Sequence, residues 1–248
     1  MELKAFFEEN PRCAIAFSGG VDSSYLLYAA RQYGAQVRAY YVKSAFQPAF
    51  ELADAHCLCR EIDAPLTVLE VDILKNDAVA ANPADRCYCC KKEIFSAILS
   101  AAEKDGFALL LDGTNASDDA GDRPGMRALR ELSVRSPLRE CGLTKAEIRR
   151  RSREAGLFTW DKPAYACLAT RIPTGERITE DKLRATEEAE NLLFSLGLTD
   201  FRVRRIQDCA KIQIRAEQMP LLWEHRAEIV SELKKHYKAV LLDLEVRA

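Results

Sequence analysis

The feature that most constrains the fold is a short apolar run that ends in a glycine turn and leads into a helix. Cys13–Phe17 reads CAIAF, Ser18–Ser24 reads SGGVDSS, and apolar residues at helical spacing follow over 25–30. This order of strand, turn and helix begins a βαβ unit, and the unpaired N–H groups of the helix N-terminus favour an anion. The segment therefore predicts an α/β fold with a phosphate-binding loop. The candidate binding residues of this loop are Ser18, Gly19, Gly20, Asp22, Ser23 and Ser24.

The rest of the chain continues the alternation of strands and helices up to about residue 158. Further strands are predicted at 36–42, 66–71 and 108–112, with helices at 46–62, 94–104 and 144–156. Alternating elements of this kind form a parallel sheet that is covered by helices on both faces. After Pro163 the order changes to a helix at 180–196, strands at 201–205 and 211–214, a helix at 218–236 and a strand at 239–246. We therefore expect an N-terminal parallel-sheet domain over 1–158 and a smaller α+β domain over 159–248.

Composition narrows the function classes. The chain has 36 basic and 38 acidic residues and a net charge of −2, which makes general binding to nucleic acid an unfavourable interpretation. The N-terminus lacks the features of a signal peptide, and no run of about 18 apolar residues occurs that could span a membrane. We expect a soluble cytoplasmic protein.

The glycine loop is not an ordinary P-loop, because it lacks the lysine that follows the glycines in that motif. It carries Asp22 instead, and an acidic residue inside an anion site makes sense when a cation accompanies the anion. A glycine turn with a capping aspartate is the alternative interpretation. SGGVDSS resembles the PP-loop of the N-type ATP pyrophosphatases (adenine nucleotide α-hydrolase-like proteins). The resemblance implies that ATP and Mg²⁺ bind here and that Asp22 helps to hold the metal.

A second motif follows the predicted fourth strand, where Asp112–Asp119 reads DGTNASDD. Open α/β sheets bind ligands at the carboxyl ends of their strands, so this position suits a binding site. A plain turn with side-chain caps is the alternative. In PP-loop enzymes the corresponding segment lines the site of adenylylation. The candidate residues are Asp112, Gly113, Thr114 and Asn115.

Several longer segments resemble the LarE family, which makes the thiolated ligand of the nickel-pincer nucleotide cofactor. They lie at 123–138, 142–149, 160–175, 201–204 and 242–245. The resemblance implies ATP-dependent adenylylation of the carboxylates of pyridinium-3,5-biscarboxylic acid mononucleotide, followed by sulfur transfer. It also implies that Cys167 is the sulfur donor, that sulfide or a sulfur-donor protein is a partner, and that the chain forms a homo-oligomer. A PP-loop tRNA thiolase is the leading alternative, and an amidating synthetase is a weaker one.

The cysteines allow three interpretations: a sacrificial sulfur donor, an iron–sulfur cluster, and a zinc or redox site. Some LarE proteins sacrifice the donor cysteine itself, whereas others hold a [4Fe-4S] cluster with three cysteines, which here would be Cys87, Cys90 and Cys167. Cys87 and Cys90 form a C-x-x-C pair at the start of a predicted helix, which suits soft metals and clusters. A zinc or redox site is the third interpretation, and Cys89 could replace either neighbour as a ligand. Arg171, four residues after Cys167, is a candidate for favouring the thiolate.

Overall fold

The computed structural model describes residues 2–118 and 124–247. Asp119 of the second motif and Arg123, which begins one of the LarE-like segments, lie outside the described residues. The chain divides into two compact units, of which the first comprises Met1–Ile73 and Asp85–Lys162. The second comprises Leu74–Ala84 and Pro163–Ala248, so an internal segment of the N-terminal half belongs with the C-terminal residues. The domain boundary after residue 158 stays a prediction.

The helices and strands are named in chain order. The helices are α1 Leu3–Glu9, α2 Val21–Gln32, α3 Ala49–Glu61, α4 Asp77–Ala80, α5 Arg86–Lys104, α6 Pro124–Glu131, α7 Pro137–Glu140, α8 Lys145–Glu154, α9 Glu180–Ser195, α10 Met219–Glu224 and α11 Arg226–Leu233. The strands are β1 Arg12–Ala16, β2 Gln36–Lys43, β3 Leu66–Glu70, β4 Leu110–Leu111, β5 Arg202–Ile206, β6 Cys209–Gln213 and β7 Ala239–Leu242. Short 3₁₀ turns include Phe158–Asp161 and Leu168–Arg171.

The first unit is built on a parallel sheet with strand order β3-β2-β1-β4, which confirms the predicted α/β class. Alternate residues of β2 face opposite sides: Tyr41 lies in the core shared with α1, α2 and α3, and Tyr40 lies in the core shared with α5 and α6. Burial on both faces explains why β1 reads as a continuous apolar run. The fourth strand is shorter than the predicted 108–112, since only Leu110 and Leu111 pair with β1.

The second unit contains a three-stranded mixed sheet, in which β5 and β6 are antiparallel and β6 and β7 are parallel. Leu193 of α9, Leu233 of α11 and Val203 of β5 belong to its separate core. The predicted helix over 218–236 is broken at His225, whose backbone angles (φ −91°, ψ 7°) end α10 and begin α11. The last strand ends at Leu242, short of the predicted 246.

Across the described ranges, none of the helices has both the length and the apolar character needed to cross a membrane.

Candidate active site

The two sequence motifs of the first unit meet at the point where the order of its sheet reverses. Ser18 follows β1 and Asp112 follows β4, and these two strands are neighbours. The chain runs outward from β1 through β2 to β3 and returns to β4 on the other side of β1. At such a switch point the connections leave in opposite directions, which opens a crevice at the carboxyl ends of the strands. Both predicted nucleotide-binding segments therefore line one crevice.

The phosphate loop holds its shape through its own serines and glycines. Gly19 has φ +71°, and a Cβ placed on it would lie 3.3 Å from the carbonyl oxygen of Glu51 in α3. Ser23 Oγ donates to the carbonyl oxygen of Gly20 at 3.2 Å and lies 3.0 Å from Ser18 Oγ. Gly20 is the N-cap of α2 and provides no side-chain cap. The first amides of α2 are therefore offered to a ligand at the positive end of the helix dipole.

Gly113 brings the second motif into direct contact with this loop. A Cβ placed on Gly113 would lie 2.9 Å from the backbone nitrogen of Ser23 and 3.3 Å from the carbonyl carbon of Asp22. Any side chain at this position would collide with the backbone that begins α2. The chain passes the phosphate loop here because glycine has no side chain.

The remaining polar side chains of the second motif hold the turn after β4. Asp112 accepts hydrogen bonds from Thr114 Oγ1 at one oxygen and from Ser136 Oγ at the other, both at 2.5 Å. The backbone nitrogen of Asn115 donates to Asp118 Oδ2 at 2.8 Å. Asp112, Thr114 and Asn115 are all buried. These contacts fix the backbone of the turn beside the loop at Ser18–Ser24.

Asp22 has one carboxylate oxygen bound to a lysine and one that is available to a metal ion. Burial raises its pKa, and the ammonium of Lys145, whose Nζ lies 2.6 Å from Asp22 Oδ2, acts in the opposite direction. Its other oxygen, Oδ1, is buried and accepts no hydrogen bond from any residue in the described ranges. An unsatisfied carboxylate oxygen at a phosphate loop is a suitable hard ligand for Mg²⁺. The residue therefore fits the predicted metal role.

Two lysines that sequence reasoning did not identify lie at this loop. Lys145 begins α8, whose N-cap Thr144 accepts a hydrogen bond from the backbone nitrogen of Glu147 at 3.3 Å. Lys162 donates to Asp54 Oδ2 at 2.6 Å and to the carbonyl oxygen of Gly19 at 3.2 Å. Both lysines belong to segments quoted for the LarE resemblance, which is the signal that could have found them.

The C-x-x-C pair lies on the first turns of α5. Cys87 and Cys90 are three residues apart and so share one helix face, whereas Cys89 points elsewhere. Cys87 is exposed and accepts a hydrogen bond from Arg86 at an Nη2–Sγ distance of 3.8 Å, and Cys90 is half-buried. In the part of the chain that is described, no group of three or more His, Cys, Asp or Glu side chains is arranged as a metal site. The pair fits two ligand positions of a cluster and needs further thiolates.

Cys167 belongs to the second unit and precedes the 3₁₀ turn at Leu168–Arg171. Its carbonyl oxygen accepts hydrogen bonds from the backbone nitrogen and the hydroxyl of Thr170, at 3.0 and 2.9 Å. Three arginines bind other carbonyl oxygens around it and so hold the backbone of this segment. The pairs are Arg171 with Ala166, Arg202 with Ala164, and Arg204 with Thr170.

Arg171 is fully buried and forms an ion pair with Glu190, with Nε 2.8 Å from Oε1. Glu190 also accepts hydrogen bonds from Tyr165 Oη and from the backbone nitrogen of Val203. Because Glu190 compensates the guanidinium charge, the geometry favours a positioning role for Arg171 toward the Cys167 segment. Its predicted effect on the thiolate stays a prediction.

Comparison with known proteins gives the family. A scan against protein-family profiles gives no match. An uncharacterized protein of Synechocystis is 38% identical over 88% of this chain and 81% of its own length. An uncharacterized protein of Methanocaldococcus jannaschii is 29% identical over 98% of this chain and 93% of its own length. The pyridinium-3,5-bisthiocarboxylic acid mononucleotide synthase of Lactiplantibacillus plantarum is 33% identical over 86% of this chain and 78% of that protein. The chain belongs to the LarE family.

All nine cysteines of this LarE protein lie in the described ranges, and none of them forms a disulfide bond. Burial raises the pKa of Cys13 and of Cys59 to about 12, so these two thiols stay protonated and inert. Cysteine chemistry in this LarE chain is left to the more accessible thiols, among them Cys87, Cys90 and Cys167.

Proposed function

We propose that this LarE protein uses ATP to adenylylate a carboxylate of pyridinium-3,5-biscarboxylic acid mononucleotide and then converts it to a thiocarboxylate, with sulfur from Cys167 itself or from a [4Fe-4S] cluster that Cys167 helps to hold. The observation that carries the proposal is the packing of Gly113 against Ser23, which joins the phosphate loop and the second motif in one crevice. The name of the L. plantarum relative supports the choice of substrate. A pyridinium mononucleotide is a small anionic molecule, in keeping with the balanced charge of the chain.

In the first step a substrate carboxylate oxygen attacks the α-phosphorus of ATP. A P–O bond forms there, the bond to the bridging α–β oxygen breaks, and pyrophosphate leaves with the electron pair. Ser18, Ser23 and the first amides of α2 would bind the phosphates, and the turn at Asp112–Asn115 would hold the reacting groups in line. Positioned donors of this kind stabilise the charge that develops on the leaving pyrophosphate.

Asp22 would hold Mg²⁺ through the oxygen that lacks a partner within the described residues. The metal, when bound, neutralises phosphate charge during transfer. Lys145, which pairs with the other oxygen of Asp22, favours the ionised carboxylate and so opposes the effect of burial, which raises the pKa of Asp22.

If Cys167 is itself the donor, its thiolate then attacks the acyl carbon of the adenylate, and AMP leaves as the carbon–oxygen bond breaks. Loss of the Cys167 Cα proton to a base and cleavage of its Cβ–S bond then release the thiocarboxylate and leave dehydroalanine. The carbonyl contacts of Arg171, Arg202 and Arg204 would keep this segment in place during the transfer. A second round, on another copy of the chain whose Cys167 is intact, would convert the other carboxylate.

We further propose that Cys87, Cys90 and Cys167 hold a [4Fe-4S] cluster, which would spare Cys167 from being consumed. Such a cluster supplies an open iron that can bind sulfide from solution or from a donor protein. The one-turn spacing of Cys87 and Cys90 and the Arg86 guanidinium beside Cys87 support this assignment. Sacrificial transfer by Cys167 and a zinc or redox site are the competing interpretations.

The test of adenylylation is pyrophosphate release by the full chain with ATP, Mg²⁺ and the pyridinium dicarboxylate mononucleotide. We expect release that Asp22→Asn abolishes, whereas Cys167→Ala retains it and forms no thiocarboxylate. Release that requires tRNA in place of the pyridinium compound would favour the thiolase alternative. No release with the pyridinium compound would contradict the proposal.

The test of the sulfur source is anaerobic purification followed by iron and sulfide analysis and mass spectrometry. About four irons per chain, lost in Cys87→Ala and in Cys90→Ala, would support the cluster. An iron-free protein whose mass falls by one H₂S after turnover would instead show that Cys167 is consumed. Bound zinc would contradict both.

A further inference from the structure

The phosphate loop carries no basic residue of its own, although its ligand bears several negative charges. The charged side chain inside the loop is the acidic Asp22, and the lysine of ordinary P-loops is missing from the sequence. Serine hydroxyls and helix amides bind phosphate oxygens but supply only partial charges. A cation is therefore expected from elsewhere in the fold.

Lys162 lies at the loop although it is 143 positions away from Gly19 in the chain. Its Nζ donates to the carbonyl oxygen of Gly19 at 3.2 Å and to Asp54 Oδ2 at 2.6 Å. The side chain is 17% exposed, so the ammonium is largely withdrawn from solvent yet still accessible at the loop. The ring of Phe50 lies 5.5 Å from Nζ and contributes a further attraction to the cation.

The backbone at Lys162 is fixed as well as its side chain. Arg149 of α8 donates to the carbonyl oxygen of Lys162 at 2.8 Å and to that of Trp160 at 2.7 Å. Asp54 comes from α3, whose first turn packs on Gly19 through Glu51. Contacts from two helices thus hold one ammonium at the loop. Ordering a long side chain costs conformational entropy, and a partly exposed ion pair alone compensates little of that cost.

We propose that Lys162 is a ligand of the nucleotide phosphates, and that Asp54 holds its ammonium at the loop until the phosphates arrive. The proposal rests on the proposed ATP-dependent function and adds a specific phosphate-binding residue to it. Since phosphate and Asp54 compete for the same ammonium, removal of the lysine should weaken binding of the phosphates and removal of the aspartate should not. A purely structural ion pair would make the two effects alike.

The test is calorimetric binding of α,β-methylene-ATP with Mg²⁺, and of adenosine, to the full chain and its variants. Lys162→Met should weaken binding of the analogue by about 10-fold or more, because a charge-assisted hydrogen bond is lost, and should leave adenosine binding unchanged. Asp54→Asn should leave analogue binding unchanged or tighten it. Lys4→Met is the matched control, since Lys4 pairs only loosely with Glu8 on α1, at 3.8 Å.

Equal affinity of Lys162→Met and the native chain for the analogue would overturn the proposal, as would equal weakening by Lys162→Met and Asp54→Asn. Lys162→Arg, which keeps the charge, should retain most of the affinity and covers the case in which the methionine variant does not fold. Binding is measured without the carboxylate substrate. Failure of the native chain to release pyrophosphate would therefore refute the proposed function, and the measured effect of Lys162 on nucleotide binding would still stand.

Discussion

At the residue scale, two features distinguish the candidate site: a glycine where a side chain would collide, and a buried carboxylate oxygen without a hydrogen-bond donor among the described residues. Gly113 allows the backbone after β4 to approach the start of α2 more closely than any Cβ would permit. Asp22 has one oxygen bound to Lys145 and one buried oxygen that no described residue satisfies. Leaving a buried acceptor unsatisfied costs about 1–3 kcal/mol, which a bound cation would recover.

Gly113→Ala should destabilise the protein by about 1–3 kcal/mol, because the new Cβ must displace backbone rather than a flexible side chain. It should also weaken nucleotide binding through the shift of Ser23. Urea unfolding and binding of α,β-methylene-ATP check the two effects. Gly125→Ala is the control, since its Cβ would meet only the far end of the Lys91 side chain. Equal behaviour of the two variants would contradict the steric argument.

Arg171→Met should destabilise the protein by about 3–5 kcal/mol, because Glu190 would be left as a buried charge without its cation. Chemical unfolding of the single variant and of the double variant Arg171→Met/Glu190→Leu checks this. The double variant should recover part of the stability, since it removes both charges. A nearly neutral single variant would show that the ion pair does not hold the Cys167 segment.

At the scale of elements, helix α8 holds two lysines at the phosphate loop, one directly and one through Arg149. Its N-cap Thr144 fixes where the helix begins, and its first residue, Lys145, therefore meets Asp22. One turn later Arg149 binds the backbone at Lys162. A single short helix thus positions both lysines at the loop.

Thr144→Ala should lower stability by about 1 kcal/mol through loss of the cap and should also weaken Mg²⁺-dependent nucleotide binding, because Lys145 shifts with the helix start. Thr179→Ala is the matched control, since Thr179 caps α9 of the second unit in the same manner. Thermal unfolding should show similar losses for both variants. If both also bound the nucleotide equally well, the coupling through α8 would be wrong.

At the scale of the whole molecule, the cysteines divide between buried structural thiols and accessible ones in both units. Cys13 and Cys59 pack in the core of the first unit, and their raised pKa keeps them protonated. Cys87 is exposed at the start of α5, and Cys57 is exposed on α3. Reactivity is therefore set by where the fold places each thiol.

Alkylation of the metal-free native chain at about pH 8 should modify Cys57 and Cys87 rapidly and leave Cys13 and Cys59 unmodified, because the thiolate is the reactive form and burial disfavours it. Peptide mass mapping after timed iodoacetamide treatment measures this. Denatured chain provides the control, in which all four sites should react. Early labelling of Cys13 in the native chain would show that the core opens easily.

Local patterns were sufficient for much of the first unit. The apolar run before Ser18, the glycine turn and the alternation of strands predicted the parallel sheet and the loop at its edge, because hydrophobic period and turn chemistry act over neighbouring residues. The break at His225 was missed, since the apolar spacing continues across it. Local patterns do not identify Leu74–Ala84 as part of the second unit, because this depends on contacts with residues far along the chain. Examples are the hydrogen bonds from Asn82 to the carbonyl oxygens of Ile172 and Pro173.

By itself, the sequence determined the α/β class, the glycine turn between β1 and α2 and the turn after β4, because each depends on contiguous residues with a local physical requirement. The tertiary structure decided which distant side chains complete the site. Lys145 lies at the loop because α8 contacts α2, and Lys162 lies there with its backbone carbonyl bound by Arg149. It also decided that Arg171 is buried against Glu190, since charge compensation depends on a partner that no local pattern identifies.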